Sequence, residues 1–431
     1  MNKYEINRKF WMLMIPRQIF IAITLLFLPL TTFAENLISN VINISADSTG
    51  YVLVADKTHQ KIFIINSDAP GTIKIVKEYK ITTGRRSGDK EHRGDLRTPE
   101  GIYYINGRVP DNKLTAKFGP IAFIIDYPNF VDRLQKRNGS NIWIHGRDEA
   151  FKDFITEGCI SMENSQILGL KKYIDIDQTP VIILDNLSAY SVDQTDYVSA
   201  TNHWSEFTNG WAQSWDSGDI SAYCSYYDPK YIDGSGRNLA KFKEYKSGLE
   251  KTYKWKPVII DKVYVLISDK ETHLKFRQRY LSLTFYSEGQ KQLILIPFKS
   301  QWKIMQENFK PSSARISTEE MIEQFLKSWE NAWEKQGIEA YLAFYDPNFS
   351  TGEYDLGGWR KYKSELFQSG KKVSVERSAL KVQSTEKQVW NVSFLQIYQA
   401  DNYRDAGVKT MTIKGFPGDL KIIKEEWRKD N

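Results

Sequence analysis

Two short stretches of the chain hold residues able to do nucleophilic chemistry: Ile144-His145-Gly146-Arg147 and, fourteen residues on from the histidine, Gly158-Cys159-Ile160-Ser161. Only five histidines and two cysteines occur in 431 residues, so this pairing, each member beside a glycine, stands out. A thiol becomes an effective nucleophile when a neighbouring base takes its proton or a cation steadies the thiolate. On this reading Cys159 attacks a carbonyl, while His145 takes the thiol proton and later passes one to the leaving amine. Gly146 and Gly158 let backbone approach a substrate, and N–H groups at Gly158 and Cys159 are placed to hold a tetrahedral oxyanion. Papain-like proteases set Cys before His, and caspase-like ones carry a different cysteine signature. No further Cys or His lies near enough in sequence for a zinc site, so no metal and no cofactor is expected.

The elements that must position this pair are strands. Residues 51–65 read as two strands around a polar turn at 56–61, and strand-like runs follow at 72–76, 101–105, 121–125, 142–144 and 181–184. Residues 49–185 therefore form one β-rich domain, with His145 at a strand end. The polar stretch 186–202 reads as a linker. Beyond it the chain repeats itself at an offset of 118: Phe207, Trp211, Trp215, Tyr223 and Tyr227-Asp228-Pro229 recur as Phe325, Trp329, Trp333, Tyr341 and Tyr345-Asp346-Pro347, and Lys303-Ile304 recurs as Lys421-Ile422. The units are 203–309 and 318–428, joined by 310–317. Aromatics at helical spacing open each unit and alternating strands close it, an α+β module. The tryptophans are expected in its core and the Asp-Pro steps at turns.

The N-terminus places Lys3, Arg8, Lys9 and Arg17 ahead of the apolar run 19–28 and the small-residue end Thr32-Phe33-Ala34. This is the layout of a secretory signal peptide over 1–34, cleaved after Ala34, followed by an arm at 35–48; a retained membrane anchor is the competing reading. Half of the formal net charge of +6 sits in this segment. The balance left behind argues against nucleic acid as a partner. Cys224, in an aromatic stretch of another domain, is expected buried and not bridged to Cys159.

Three segments of the first domain resemble the L,D-transpeptidase catalytic domain of bacterial cell-wall enzymes: Arg97-Thr98-Pro99-Glu100-Gly101-Ile102-Tyr103, Phe118-Gly119-Pro120 through Asp126-Tyr127-Pro128-Asn129, and the His145-Gly146 and Gly158-Cys159 pair. The second segment is similar to the branch that holds L,D-carboxypeptidases. The two repeats resemble the nuclear-transport-factor-2-like superfamily. The resemblance implies a multidomain protein, a β-rich catalytic domain followed by two cone-shaped α+β domains, acting on peptidoglycan stem peptides in the periplasm or outside the cell. It implies a Cys159 thioester resolved by an amine, giving a cross-link, or by water, giving tripeptide. It also implies that the Gly146 carbonyl orients the imidazole. Where family members often carry Arg or Asn two residues after the cysteine, this chain has Ser161, and Glu157 precedes Gly158 where His or Lys is common. Arg147, Arg97 and Arg133 are candidates, with Ser161, to grip stem-peptide carboxylates; Glu157 is expected to face outward, because a carboxylate at the thiol would raise its pKa. A non-catalytic cell-wall scaffold built on the repeats, and a second copy of the chain or a cell-wall partner bound through them, are the other readings.

Overall fold

Near-continuous apolar runs such as Val52-Leu53-Val54-Ala55 and Val181-Ile182-Ile183-Leu184 demand burial on both faces, and the sheet they form receives it. The computed structural model describes residues 37–43, 50–66, 72–253, 257–282, 284–312, 315–369, 371–401 and 403–429; the expected signal peptide lies outside them. Eight strands, β1 (Tyr51–Asp56), β2 (Lys61–Asn66), β3 (Lys74–Lys80), β4 (Gly101–Pro110), β5 (Ile121–Ile125), β6 (Trp143–His145), β7 (Ile160–Ser161) and β8 (Pro180–Leu184), lie in the order β3-β2-β1-β8-β4-β5-β6-β7. Two pairs are parallel, β1 with β8 and β6 with β7. One face packs Leu53, Ile62, Tyr103, Phe123, Ile144 and Ile160 into the domain's own core. The other face, Val52, Val54, Ile102, Ile182 and Leu184, is covered by Val41 and Leu266, which lie outside the domain.

Each repeat is a helix laid on a mainly antiparallel sheet; in the second, the strand Tyr345–Ser350 pairs parallel with Lys421–Lys429. In the first, helix Gln194–Asp216 covers strands β9 (Val258–Ile267), β10 (Thr272–Leu281), β11 (Phe285–Phe298) and β12 (Gln301–Pro311), with Val41–Asn43 added at the β9 edge. In the second, helix Thr318–Glu334 covers β13 (Tyr345–Ser350), β14 (Val373–Glu386), β15 (Val389–Ala400), β16 (Tyr403–Lys414) and β17 (Lys421–Lys429). The offset seen in sequence is a repeated set of bonds. Trp211 Nε1 donates to Tyr227 Oη (3.3 Å) and Trp329 Nε1 to Tyr345 Oη (3.0 Å); the two tyrosines donate in turn to Glu307 and Glu425 at 2.8 Å. Lys303 and Lys421 each donate to a carbonyl at the end of their repeat's short second helix (Ile220–Ser225 and Ile338–Leu342), Ser225 O and Ala343 O, at 2.7 Å.

Both expected linkers hold secondary structure among their described residues. Within 186–202 the opening helix already begins at Gln194, capped by Asp193, whose side chain accepts from the Asp196 N–H. Its polar first turns look like linker in sequence, but Tyr197 is fully buried and donates to Val41 O at 3.0 Å, so a tertiary contact holds them. Within 310–317, β12 runs on to Pro311 and Ile316–Ser317 pairs with Phe285–Tyr286.

The turn between β9 and β10 ties the first repeat to the eight-stranded domain. Glu271, buried, accepts at Oε1 from Ile102 N (3.0 Å) and Asn129 Nδ2 (2.8 Å), while its Oε2 meets His273 Nε2 at 2.9 Å. Lys270 donates to Glu100 O (2.6 Å) and pairs with Asp89. Asp89 is also paired with Arg137 and accepts from Glu100 N (2.8 Å), and buried Lys57 bonds Gly88 O (2.6 Å), Thr98 O (3.0 Å) and Glu100 Oε1 (2.7 Å). This network anchors the loop 88–100.

Candidate active site

In a parallel ladder residues at one level share a face, and the pairing of Ile144 with Ile160 and His145 with Ser161 fixes the site. Ile144 and Ile160 point into the core. Trp143, His145, Ser161 and, one step before β7, Cys159 are left to the opposite face, where they line a cleft of about 520 Å³. Phe118 lies edge-on to His145 (ring centroids 5.0 Å) and beside Trp143 (5.2 Å).

His145 Nδ1 is 2.5 Å from Gly146 O. A carbonyl only accepts, so the Nδ1 position carries the proton and Nε2 keeps its lone pair. Ser161 Oγ donates to the same carbonyl at 3.3 Å. Burial pushes the imidazole pKa down to about 4; the cations of Lys117 and Arg147 act in the same direction, and the bond to Gly146 O opposes them. Burial also raises the Cys159 thiol pKa, with the Glu157 charge adding to it, against the backbone of Trp143 and the cations of Lys117 and Lys90. The thiol is half-buried, its Sγ 3.6 Å from Asn141 O. The resting pair is a neutral thiol and a neutral base.

Two glycines are required by close approach. Gly158 has φ +132°, and a Cβ there would stand 2.7 Å from Arg97 O. At Gly146 a Cβ would meet Asn164 Oδ1 at 2.3 Å, the atom that accepts from Arg147 N at 2.8 Å and so fixes the loop after His145.

The expected oxyanion role of the Gly158 N–H needs correction. That N–H donates to Thr156 Oγ1 (3.2 Å), whose hydroxyl donates to Cys159 O (2.7 Å), so it is committed to the turn. Arg97 and Arg133 are corrected as well, for neither lines the cleft. Arg97 reaches away to Asp89 O (3.2 Å) and Arg133 bonds Pro128 O. Arg147 does line it, buried, with Nε and Nη2 held by Glu149 O and Ala150 O at 2.8 Å and Nη1 left without a partner. Ser161 lines it with its hydroxyl spent on Gly146 O. Glu157 is exposed, at the cleft mouth.

Sequence reasoning missed Lys117, Trp143, Asn164, Arg85, Lys90 and Arg93. Trp143 Nε1 is a second buried donor without a partner, and Lys117, Arg85, Lys90 and Arg93 line the cleft together with the acidic Asp148, Glu149 and Glu157. The neighbours of Lys117 and Trp143 stand out in the sequence; nothing in the pattern distinguishes Asn164, which acts from a helix start in another segment. Among the described residues no three His, Cys, Asp or Glu side chains converge on a point that would hold a metal.

Comparison with known proteins matches residues 50–183 to the L,D-transpeptidase catalytic domain, and residues 204–308 and 321–426 each to the Cds6 C-terminal NTF2-like domain. The "Putative L,D-transpeptidase YqjB" of Bacillus subtilis (strain 168) is 28% identical over 145 residues, 32% of this chain and 73% of that protein. The structure of Bdellovibrio bacteriovorus Bd1075 is similar with a TM-score of 0.59 and 26% identity, covering 65% of this chain and 99% of that one. The helical cell shape determining protein Pgp2 from Campylobacter jejuni is similar at 22% identity and a TM-score of 0.49, over 63% and 95% of the two chains.

Proposed function

The chain belongs to the L,D-transpeptidase family by its catalytic domain, residues 50–183, with two NTF2-like domains behind it; on that premise we propose an exported enzyme that cuts peptidoglycan stem tetrapeptides through a Cys159 thioester. The observation that carries this reading is one carbonyl, Gly146 O, which fixes the His145 tautomer so that Nε2 is the basic nitrogen on the face that also holds Cys159.

Substrate binding brings the carbonyl of the diamino acid's L-centre to Sγ. As the C–S bond forms, the thiol proton passes to His145 Nε2 and the carbonyl electrons move to oxygen, where the Cys159 N–H is the donor left at this turn. Collapse breaks the C–N bond, and the imidazolium gives its proton to the departing D-alanine amine. An amine of a second stem then attacks the thioester, loses its proton to His145 and expels the thiol, leaving a cross-link. Arg147 Nη1 and Trp143 Nε1, buried donors without protein partners, suit the acceptor-rich stem peptide. Export is supported by the basic, apolar and small-residue order of 1–34.

The cleft favours a second reading: about 520 Å³ suits one stem peptide better than two, and water then resolves the thioester to give tripeptide. Incubation with disaccharide-tetrapeptide separates the two. Dimer is the expected product; tripeptide without dimer assigns the enzyme to hydrolysis, and undiminished turnover by C159A refutes the nucleophile.

A further inference from the structure

One wall of the Cys159 cleft comes from the segment between β3 and β4, where Arg85, Lys90, Arg93, Gly94 and Leu96 all line it. From 87 to 96 this segment has neither helix nor strand, so side-chain bonds must shape it. At its tip Asp95 accepts from Lys90 Nζ (2.6 Å) and from the N–H groups of Glu91 and His92 (2.7 and 3.0 Å). Leu96 beside it has φ +62°, a backbone conformation that a leucine keeps only where its surroundings enforce it.

The tip hangs from Asp89. Its Oδ1 accepts from Glu100 N (2.8 Å), and its Oδ2 is shared by the cations of Arg137 and Lys270. Arg137 belongs to the catalytic domain itself; Lys270 comes from the β9–β10 turn of the first repeat, and it also donates to Glu100 O at 2.6 Å. One ammonium from outside the domain thus grips the loop at residue 89 and at residue 100. Arg93, in the suspended part, is exposed and tied by its backbone, whose N–H donates to Asn138 Oδ1 at 3.0 Å. No hydrogen bond or ion pair engages its guanidinium among the described residues. A guanidinium free at a cleft wall takes a carboxylate through two parallel bonds, provided the loop holds it there.

We infer that Lys270 of the first repeat is a positioning residue for substrate: by clamping Asp89 and Glu100 it holds the loop 88–100 so that Arg93 meets a stem-peptide carboxylate in the cleft. The active site is then completed from outside the catalytic domain. This inference rests on the stem-peptide reading of the cleft.

Calorimetric titration of the full chain with a soluble stem tetrapeptide, in a C159A parent so that no turnover intervenes, tests it. K270M keeps the apolar stem and strands no partner, since Asp89 retains Arg137 and Glu100 N, and Glu100 O retains the Tyr103 hydroxyl at 2.9 Å. Unchanged thermal melting establishes that the variant is folded. K270M is expected to weaken binding roughly tenfold, K270R to restore it, R93A to weaken it comparably, and R93A/K270M to bind no more weakly than R93A alone. Hydrogen exchange across 88–100 is expected to be faster in K270M than in the parent. Equal affinity in K270M, no rescue by K270R, losses that add in the double variant, or unaltered exchange across 88–100 would each overturn the proposal. Additive losses in particular would show that Lys270 acts only as a distant charge. A C159A parent that binds no tetrapeptide instead defeats the stem-peptide reading, and with it the substrate role given to Lys270, while faster exchange in K270M would leave the clamp itself standing.

Discussion

His145 and Cys159 rest as an uncharged pair, and that sets the pH response of the site. A base with its pKa pushed down to about 4 by burial and by Lys117 and Arg147 stays competent well into acid, so acylation of Cys159 should hold as pH falls and be lost only as pH drops through about 4. Removing a cation should lift that limb: K117A is expected to move it upward, because the imidazolium would no longer face Lys117. The same change should slow acylation near neutral pH, since Lys117 also favours the thiolate. The rate of covalent labelling of Cys159 against pH reads both effects. An acid limb near 6.5 in the wild type would show that the imidazole does not feel its burial.

At the scale of elements, the β9–β10 turn acts as a brace. Glu271 takes hydrogen bonds from Ile102 N and Asn129, and Lys270 pairs with Asp89, at the base of the loop that brings Lys90 and Arg93 to the cleft. Burial alone would raise the Glu271 pKa; His273 and these donors hold it below the ordinary carboxylate value, so it stays charged at neutral pH. Its removal strands His273 and two donors in a dry seam. E271A should therefore cost about 3–5 kcal/mol in urea unfolding, whereas K61A, in an exposed pair with Glu78, should cost less than about 1 kcal/mol. The Tyr127-Pro128-Asn129 segment, in sequence a mark of the catalytic family, belongs to this brace: Asn129 caps helix Phe130–Leu134 and bonds both Ile102 O and Glu271.

For the whole molecule, the catalytic sheet does not own a complete core. The side chains of Val52, Val54, Ile102, Ile182 and Leu184 are covered by Val41 and by Leu266 of the first repeat. Cutting the chain after residue 317 leaves that cover in place, and cutting it after residue 192 removes Leu266 and Glu271. The shorter product is expected to lose solubility and cooperative melting. The longer should keep Cys159 labelling at the wild-type rate. Purified truncations compared by thermal melting and labelling give the answer.

Sequence alone determined what is local or periodic: the scarce His145 and Cys159 with their glycines, most strands of the catalytic sheet, and the 118-residue repeat, whose tryptophans and tyrosines make the same bonds twice. Single-chain patterns carry such features because strand alternation and glycine geometry are short-range. Tertiary structure alone decided which groups face the cleft and which domains share a core. Arg97 and Arg133 turn away to neighbouring carbonyls, while Lys117 and Trp143 turn in. The stretch from 194 to 202 is helix because Tyr197 finds a buried place beside Val41. Those outcomes depend on contacts between segments far apart in the chain, where the energy of a side chain is set by neighbours that no local pattern names.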